Sequence, residues 1–277
     1  MILILIFGVL DDFRPMAPRY KLLLQILAGL CVIIPGYTFR RLFFFSIDSV
    51  SEFSWLRYPV SFLWIVGLSN AVNFIDGVDG LAGGLSILIS LAYAFIFVSS
   101  PPINSVVLLC LCLAAAIGGF LVFNMPFPRA KIFMGDGGSQ FLGFILALFP
   151  LMNTGDAPFV LPLPYAAALL IIPIFDTIAA VWRRTRDGRR IDSPDKFHIH
   201  HKLMNLGLDA QKVDGLLYGL QIVLGILVFI SVKLPGVLSL LVLGLTYLLG
   251  IAFFITIHYM NRAAILQRRQ MEEQQAG

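Results

Sequence analysis

The sequence is poor in charge. Only 13% of its 277 residues are Asp, Glu, Lys or Arg, whereas 58% are hydrophobic, and the mean hydropathy is +0.88. A soluble domain carries about 25% charged residues, so this composition excludes a water-soluble globule. It indicates a multi-pass membrane protein, whose length leaves room for roughly nine or ten crossings and for no large soluble domain.

Cysteine is scarce as well. The chain has three cysteines, Cys31, Cys110 and Cys112, and all lie within apolar runs, where a thiol packs as a small hydrophobic group. Cys110 and Cys112 are two residues apart, so on a helix their side chains diverge. We therefore expect neither a disulfide nor a joint metal site from them. A cleaved signal peptide is not expected either, because no basic region precedes the first apolar run.

Nine apolar segments are present, and their continuous character predicts helices rather than the alternating strands of a barrel. They cover residues 1–10, 22–37, 58–75, 81–98, 105–123, 138–152, 161–182, 216–232 and 236–257. The first segment is too short to span a bilayer alone. We predict an all-α transmembrane bundle of about nine membrane segments over residues 1–258, followed by a polar tail at 259–277. Pro162, Pro164 and Pro173 predict a kink in the seventh segment.

Positive charge is unevenly distributed between the loops. If successive loops alternate sides, all but four of the 20 Lys and Arg residues lie on one side of the membrane, together with the tail. The positive-inside rule makes that side cytoplasmic. The same side carries almost every polar group with catalytic potential, so we expect an active site at the cytoplasmic face.

Four carboxylates stand out in these loops. Asp11 and Asp12 end the first apolar segment, and Asp76 and Asp79 are three residues apart, which on a helical turn would put them on one side. Four converging acids repel one another unless a cation or a Lys lies among them. Asp and Asn oxygens completed by phosphate are the usual shell of Mg²⁺. The alternatives are a solvated helix end for the first pair and a simple turn for the second.

The segment GDGGS, residues 135–139, is a glycine-rich turn that opens a helix. Free N–H groups and the helix dipole at such a turn favour an anion such as phosphate. No Gly-Lys-Ser/Thr ending is present, so the segment is not a P-loop, and a tight turn is the alternative interpretation.

Three histidines, His198, His200 and His201, lie in the most basic loop. No Cys is nearby and the spacings of structural zinc sites are absent, so we favour hydrogen bonding to a phosphate or a sugar. Asp176 is the one acid well inside an apolar segment, which indicates either a functional residue or a structural pair with a nearby Arg. Together these groups predict phosphoryl transfer between a lipid phosphate and a phosphate supplied from the cytoplasm.

This motif series resembles the polyprenyl-phosphate N-acetylhexosamine-1-phosphate transferase family (glycosyltransferase family 4). Four motifs occur in the family's order over nearly the whole chain: DD followed by KLLLQ, NAVNFIDGVDGLA, FMGDGGS and HIHH. The HIHH form is similar to the branch that begins a cell-envelope polysaccharide, whereas three consecutive histidines are typical of the phospho-MurNAc-pentapeptide translocase branch. The resemblance implies transfer of GlcNAc-1-phosphate from UDP-GlcNAc to undecaprenyl phosphate, with release of UMP, in the bacterial inner (cytoplasmic) membrane.

The resemblance also implies roles for individual residues. Mg²⁺, with Mn²⁺ as the alternative, would be held by Asn73 and Asp136. The residues expected to act in catalysis are Asp11, Asp12, Lys21, Asp76, His198, His200 and His201. The residues expected to bind substrate are Asp79, Phe133, which would stack on uracil, and Asn70. Lys21 would pair with Asp11 and the phosphates, and the histidines would face the diphosphate and sugar.

The expected partners are a UDP-N-acetylhexosamine and a polyprenyl phosphate, without nucleic acid, and a homodimer is one oligomeric state to consider. Family members carry two or so further spans before the DD pair, whereas ten residues precede Asp11 here, so we expect the family's first spans to be lacking. Two other classes stay open. A secondary transporter would place its acids near the membrane midplane, and an inactive membrane fragment would only bind lipid or a partner.

Overall fold

The computed structural model describes residues 2–14, 16–42, 51–99, 105–125, 129–152, 160–190, 193, 195 and 197–276. Within these ranges the chain is helical, which confirms the predicted class. A 3₁₀ turn at Ser51–Leu56 precedes the third helix. The helices are α1 (Ile2–Phe13), α2 (Pro18–Ile33), α3 (Arg57–Ile75), α4 (Leu81–Val98), α5 (Ser105–Asn124), α6 (Gly135–Met152), α7 (Leu163–Leu169), α8 (Ile171–Arg186), α9 (Ile199–Asn205), α10 (Ala210–Lys233) and α11 (Gly236–Ala276).

Five of the described helices are long and apolar enough to cross a membrane. These are α3 with the end of its preceding turn, α4, α5, α10 and α11, and a sixth span results if α7 and α8 count as one broken span. The helices α1 and α2 have 12 and 16 residues, fewer than the about 20 that a full crossing requires. A multi-pass membrane protein is therefore supported, with five to six candidate spans within the described residues.

The predicted kink in the seventh apolar segment is present as a bend of 87° between α7 and α8. Pro173 lies in the first turn of α8 and has no N–H to donate to the carbonyl of Leu169. That carbonyl instead accepts a hydrogen bond of 3.0 Å from the Gln221 side chain. Pro162 and Pro164 lie at the start of α7, where proline is tolerated. The bend is thus explained by Pro173 and by the side chain that replaces its missing donor.

Close helix packing brings four polar helix ends together. The helix α3 packs against α2, α6 and α8, and α6 also packs against α1. A methyl group on Gly8 would lie only 2.6 Å from Cα of Gly137, so α1 and α6 approach with backbone against backbone. Gly143 of α6 packs in the same way against the carbonyl of Leu68 in α3. The ends of α1 and α3 consequently lie beside the beginnings of α2 and α6.

The last helix continues beyond its apolar part. α11 runs without a break from Gly236 to Ala276, so the predicted boundary at residue 258 falls inside a helix. The polar residues after it extend the helix away from the apolar part of the bundle and against α9.

Candidate active site

Lys21, in the first turn of α2, forms ion pairs with acids from two other helices. Its Nζ lies 2.6 Å from Oδ2 of Asp11 and 2.7 Å from Oδ2 of Asp136. The other oxygen of Asp11 accepts a hydrogen bond of 2.7 Å from the backbone N–H of Met16. Burial alone would raise the pKa of Asp136, but the hydrogen bond and charge of Lys21, with the Asn73 amide, lower it below its ordinary value. Of the four acids that the sequence predicted to converge, Asp11 is the one that pairs with Lys21 within the described residues.

Asn73, in the last turn of α3, lies beside Asp136. Its amide donates to Oδ1 of Asp136 (3.2 Å) and to Oγ of Ser139 (2.9 Å). Because the amide can be turned to present its oxygen instead, Asn73 and Asp136 together offer two hard oxygen ligands.

This donor set is compatible with Mg²⁺. Among the described residues no group of three or more His, Cys, Asp or Glu side chains is arranged to hold a metal ion. Asn73 and Asp136 supply two oxygens, and Mg²⁺ is often bound by one or two protein oxygens and completed by phosphate and water.

A cleft of about 540 Å³ opens next to this cluster. Asp76, Asp79, Phe133 and Asp136 all line it. Phe133 is 78% exposed, so one face of its ring is available for stacking. Burial, together with the charges of Asp136 and Asp79, raises the pKa of Asp76 to about 7, although a hydrogen bond with Ser139 opposes this.

The segment that carries Asp76 and Asp79 is a turn, so the expectation of a helical turn is wrong. Gly80 has a φ of +87°, a left-handed conformation that favours glycine and separates α3 from α4. Both acids still line the same cleft. Asp76 and Asp79 therefore face the same cleft because of the conformation of this turn and not because of helical spacing.

Asn124 joins the two loops that line the cleft. This residue, at the end of α5, accepts a hydrogen bond of 2.9 Å from the Gly80 N–H and donates one of 2.8 Å to the Ile132 carbonyl. The hydroxyl of Tyr218 donates to the Gly80 carbonyl at 2.6 Å. The turn after Asp79 and the approach to Phe133 are therefore fixed relative to each other. Neither Asn124 nor Tyr218 was predicted to belong to the site. The one feature of the sequence that could have indicated Asn124 is its position as an amide at the end of an apolar run.

The histidine segment is held by the acid inside α8. Nδ1 of His198 lies 2.6 Å from Oδ2 of Asp176, and the other oxygen of Asp176 accepts a 2.8 Å hydrogen bond from the N–H of Ile199. Both side chains are buried. Asp176 therefore positions the beginning of α9, which connects this residue to the histidine motif.

His200 lies against the turn after α3. A methyl group on Gly77 would overlap its imidazole. Burial and the neighbouring His201 lower the pKa of His200 to about 4, and neither ring nitrogen has a hydrogen-bond partner among the described residues. Gly77 lines the cleft but none of the three histidines does. The motif thus adjoins the cleft through Gly77.

Two other predicted residues lie differently. Asn70 forms hydrogen bonds with Gln25 (2.7 and 3.3 Å) and with the Val66 carbonyl, and Gln25 also donates to Gln140. This amide network joins α2, α3 and α6, and Asn70 is not part of the cleft lining. Asp12 lies in α1, and its side chain falls outside the described part of the chain.

Comparisons with known proteins identify relatives of the chain. Residues 1–154 match the model of a family described as "Glycosyl transferase family 4". The chain is 37% identical over 209 residues to a "Probable undecaprenyl-phosphate N-acetylglucosaminyl 1-phosphate transferase" of Bacillus subtilis. The aligned region covers 74% of this chain and 57% of the relative. It is 32% identical over 246 residues to a "Decaprenyl-phosphate N-acetylglucosaminephosphotransferase" of Mycolicibacterium smegmatis, with coverage of 78% and 58%.

A third relative, from Yersinia pestis, is an "Undecaprenyl-phosphate alpha-N-acetylglucosaminyl 1-phosphate transferase". It is 31% identical over 214 residues, which are 76% of this chain and 58% of the relative. The chain therefore spans less than three fifths of the length of these curated relatives.

Proposed function

The chain belongs to glycosyl transferase family 4, and on that premise we propose that it transfers GlcNAc-1-phosphate from UDP-GlcNAc to a polyprenyl phosphate and releases UMP. The observation that carries the proposal is the position of Lys21 between Asp11 and Asp136, beside Asn73 and the cleft. The relatives are named for undecaprenyl and decaprenyl acceptors. We take undecaprenyl phosphate as the acceptor, with a decaprenyl chain as the alternative.

The cleft suits the nucleotide half of the donor. Phe133 has the exposed ring that would stack on uracil, and Asp79 would accept a hydrogen bond from the uridine. The diphosphate would then extend towards Asp136 and the beginning of α6. Unpaired N–H groups in the first turn of that helix favour a phosphate there.

The reaction itself requires charge neutralisation and alignment. An oxygen of the lipid phosphate attacks the phosphorus that carries GlcNAc, a new P–O bond forms, and the bond to the UMP oxygen breaks with its electron pair going to UMP. When bound by Asn73 and Asp136, Mg²⁺ would supply charge neutralisation at the diphosphate. Asp11 would orient the lipid phosphate, with Asp12 as its neighbour. Lys21 would offer its ammonium to the phosphates in place of Asp136.

The other predicted residues would complete the site from neighbouring elements. Asp76 lines the cleft beside Asp136 and would act with it at the diphosphate. His198, His200 and His201 would contribute through the turn at Gly77, on the side of the sugar. We favour direct attack because a phosphate dianion is already a nucleophile and needs mainly alignment.

The location follows from the distribution of charge. All but four of the Lys and Arg residues belong to loops that would share one side of the membrane. We therefore propose a multi-pass enzyme of the bacterial inner membrane, with about nine membrane segments when the shorter helices are included and the site at the cytoplasmic face. The transmembrane domain would extend to residue 258, and the end of α11 would form the cytoplasmic tail.

A transfer assay tests the proposal. Membranes containing the chain are incubated with labelled UDP-GlcNAc and undecaprenyl phosphate, with Mg²⁺ or with EDTA. We expect labelled lipid and UMP in equal amounts, only with Mg²⁺. Asp136→Asn should lower the rate by about two orders of magnitude, the usual cost of removing one group that stabilises transition-state charge.

The matched control is Asp209→Asn. Asp209 is an exposed acid that accepts a hydrogen bond from the N–H of Lys212 at the beginning of α10 and lies outside the site. Asp209→Asn makes the same chemical change as Asp136→Asn, and it should leave the transfer rate unaltered. A folded, inserted chain that forms no labelled lipid, or equal rates for Asp136→Asn and Asp209→Asn, would contradict the proposal.

A further inference from the structure

A second cavity, of about 340 Å³, lies where α8, α9 and the polar part of α11 meet. It shares no lining residue with the cleft. It also shares none with a small cavity that Asp11, Lys21 and Gln140 line. Cationic side chains outnumber acidic ones in its lining. The cations are Arg183, Arg186, Arg189, Lys202 and Arg262.

Two of these cations are neutralised by the two acids of the lining. Arg183 pairs with Asp195 at 2.6 Å, and Arg186 pairs with Asp187 at 2.9 Å. Lys202 has no acidic partner within ion-pair distance among the described residues, although it is only 4% exposed. Burial and the nearby Arg183 lower the pKa of Lys202, and the charges of Asp176 and Asp195 only partly oppose this. An anion in the cavity would give the Lys202 ammonium an acidic partner.

Two further polar groups face the same space. Arg262 lies on the exposed side of the cavity and has no ion-pair partner among the described residues. Asn261 is 4% exposed, and its Oδ1 has no donor within the described part of the chain. Besides Arg189, the cavity therefore offers Lys202 and Arg262 as cationic groups and Asn261 as an acceptor. This combination suits a phosphate that carries a hydroxylated group.

The cavity lies where the apolar parts of two helices end. The apolar part of α8 ends at Trp182, immediately before Arg183, and that of α11 ends at Ile257, immediately before His258. Trp182 and Tyr259 are 68% and 63% exposed. Exposed Trp and Tyr side chains at helix ends are typical of the membrane–water interface, where lipid headgroups are found.

Apolar side chains complete the lining. Ile265 and Leu266 of α11 and Phe197 also line the cavity. At a headgroup level marked by Trp182 and Tyr259, a lipid would present its phosphate to the cations of the cavity. We propose that this cavity binds the phosphate of a membrane lipid, at a site separate from the candidate active site.

Two lipids present such a phosphate: an acidic phospholipid, whose headgroup can carry hydroxyl groups, and a polyprenyl phosphate, which carries none. Anionic headgroups are attracted to Lys and Arg at the membrane surface. In either case Lys202 and Arg262 would bind the phosphate, and the experiment below distinguishes which lipid carries it. The inference does not depend on the proposed transfer reaction, because its readout is lipid binding.

The experiment measures lipid retained by the full chain in neutral detergent. Phosphatidylglycerol, undecaprenyl phosphate and phosphatidylcholine are added in separate arms, and bound lipid is counted by native mass spectrometry. We expect phosphatidylglycerol to bind at least about tenfold more tightly than phosphatidylcholine, since a charge-assisted hydrogen bond contributes about that factor. Arg262→Gln and Lys202→Met should each remove most of this preference.

Lys212→Gln is the matched control. Lys212 is 68% exposed, pairs with Asp209 and does not line the cavity, so its substitution should leave the preference intact. Arg262 is also exposed, which keeps the Arg262→Gln test valid if Lys202→Met fails to fold. Binding of undecaprenyl phosphate alone, lost in Arg262→Gln, would identify the lipid as the polyprenyl phosphate. Equal binding of the charged and zwitterionic lipids, or a preference that both variants retain, would overturn the proposal.

Discussion

Replacement of Asp176 tests whether this acid positions the histidine segment. Its two oxygens accept hydrogen bonds from His198 Nδ1 (2.6 Å) and from the N–H of Ile199 (2.8 Å). Asp176→Asn keeps one accepting oxygen and places an NH₂ group opposite the second donor. One hydrogen bond is then lost, or the proton of His198 moves from Nδ1 to Nε2.

The cost of Asp176→Asn can be estimated from the burial of the pair. A hydrogen bond to a charged group contributes about 1.5–3 kcal/mol, and a buried donor left without an acceptor carries a similar penalty. We therefore expect Asp176→Asn to lower the free energy of unfolding by about 2–3 kcal/mol. The control Asp209→Asn replaces an exposed N-terminal cap of α10. Since Asn caps helices about as well as Asp, it should cost a few tenths of a kcal/mol.

Thermal unfolding of the detergent-solubilised chain measures both variants. At about 2–4 °C per kcal/mol for a chain of this size, Asp176→Asn should lower the midpoint by roughly 5–10 °C, and Asp209→Asn by about 1 °C. A double variant with His198→Phe should show less than additive loss, because both changes remove the same hydrogen bond. Equal shifts for Asp176→Asn and Asp209→Asn, or strict additivity with His198→Phe, would refute this account of Asp176.

Three further outcomes follow from the site. Burial and His201 lower the pKa of His200 from 6.5 to about 4, so the stability that its neutral ring contributes is complete above pH 6.5 and falls by roughly 3 kcal/mol by pH 4. In His200→Phe the unfolding midpoint should therefore decline less between pH 7 and pH 4.5 than in the unaltered chain. Equal declines in the two chains would contradict this. Gly137→Ala should separate α1 from α6 and lower both midpoint and activity, whereas Gly118→Ala, with nothing within 4 Å, should change neither. Asn124→Leu should raise the KM for UDP-GlcNAc about tenfold through loss of its two loop hydrogen bonds, and an unchanged KM would exclude that role.

Most of the long helices could be predicted because each one coincides with a continuous apolar run in the sequence. The segment predicted over residues 81–98 coincides with α4, and the segment over 105–123 differs from α5 by one residue. The break between α7 and α8 was predicted as a kink, but neither its angle of 87° nor the hydrogen bond from Gln221 of α10 to the Leu169 carbonyl was predicted. The helix α9 was not predicted, because seven residues in a polar loop carry no clear periodicity and are held by contacts with Asp176.

The resemblance predicted the pairing of Lys21 with Asp11, but not the other contacts of the candidate site. The motifs identified Lys21, Asn73 and Asp136, which lie on three helices. The contact between Lys21 and Asp136 joins residues 115 positions apart, and it depends on the close approach of α1 and α6. Asn124 escaped prediction because a single amide at a helix end forms no motif. Its importance arises from the two loops that it joins, and these meet only in the folded chain.

The two partners of Lys21 differ in a way that suits exchange with a phosphate. A cation in the first turn of α2 is disfavoured by the helix dipole, so Lys21 is stabilised by its acids rather than by its helix. Asp11 is 9% exposed and its other oxygen is bound to a backbone N–H, whereas Asp136 is 55% exposed. An ion pair as exposed as the latter contributes at most about 1 kcal/mol, so it is easily replaced. In the proposed reaction, Lys21 would therefore stay anchored to Asp11 while a substrate phosphate takes the place of Asp136, and the Asp136 carboxylate would then be available to bind a cation.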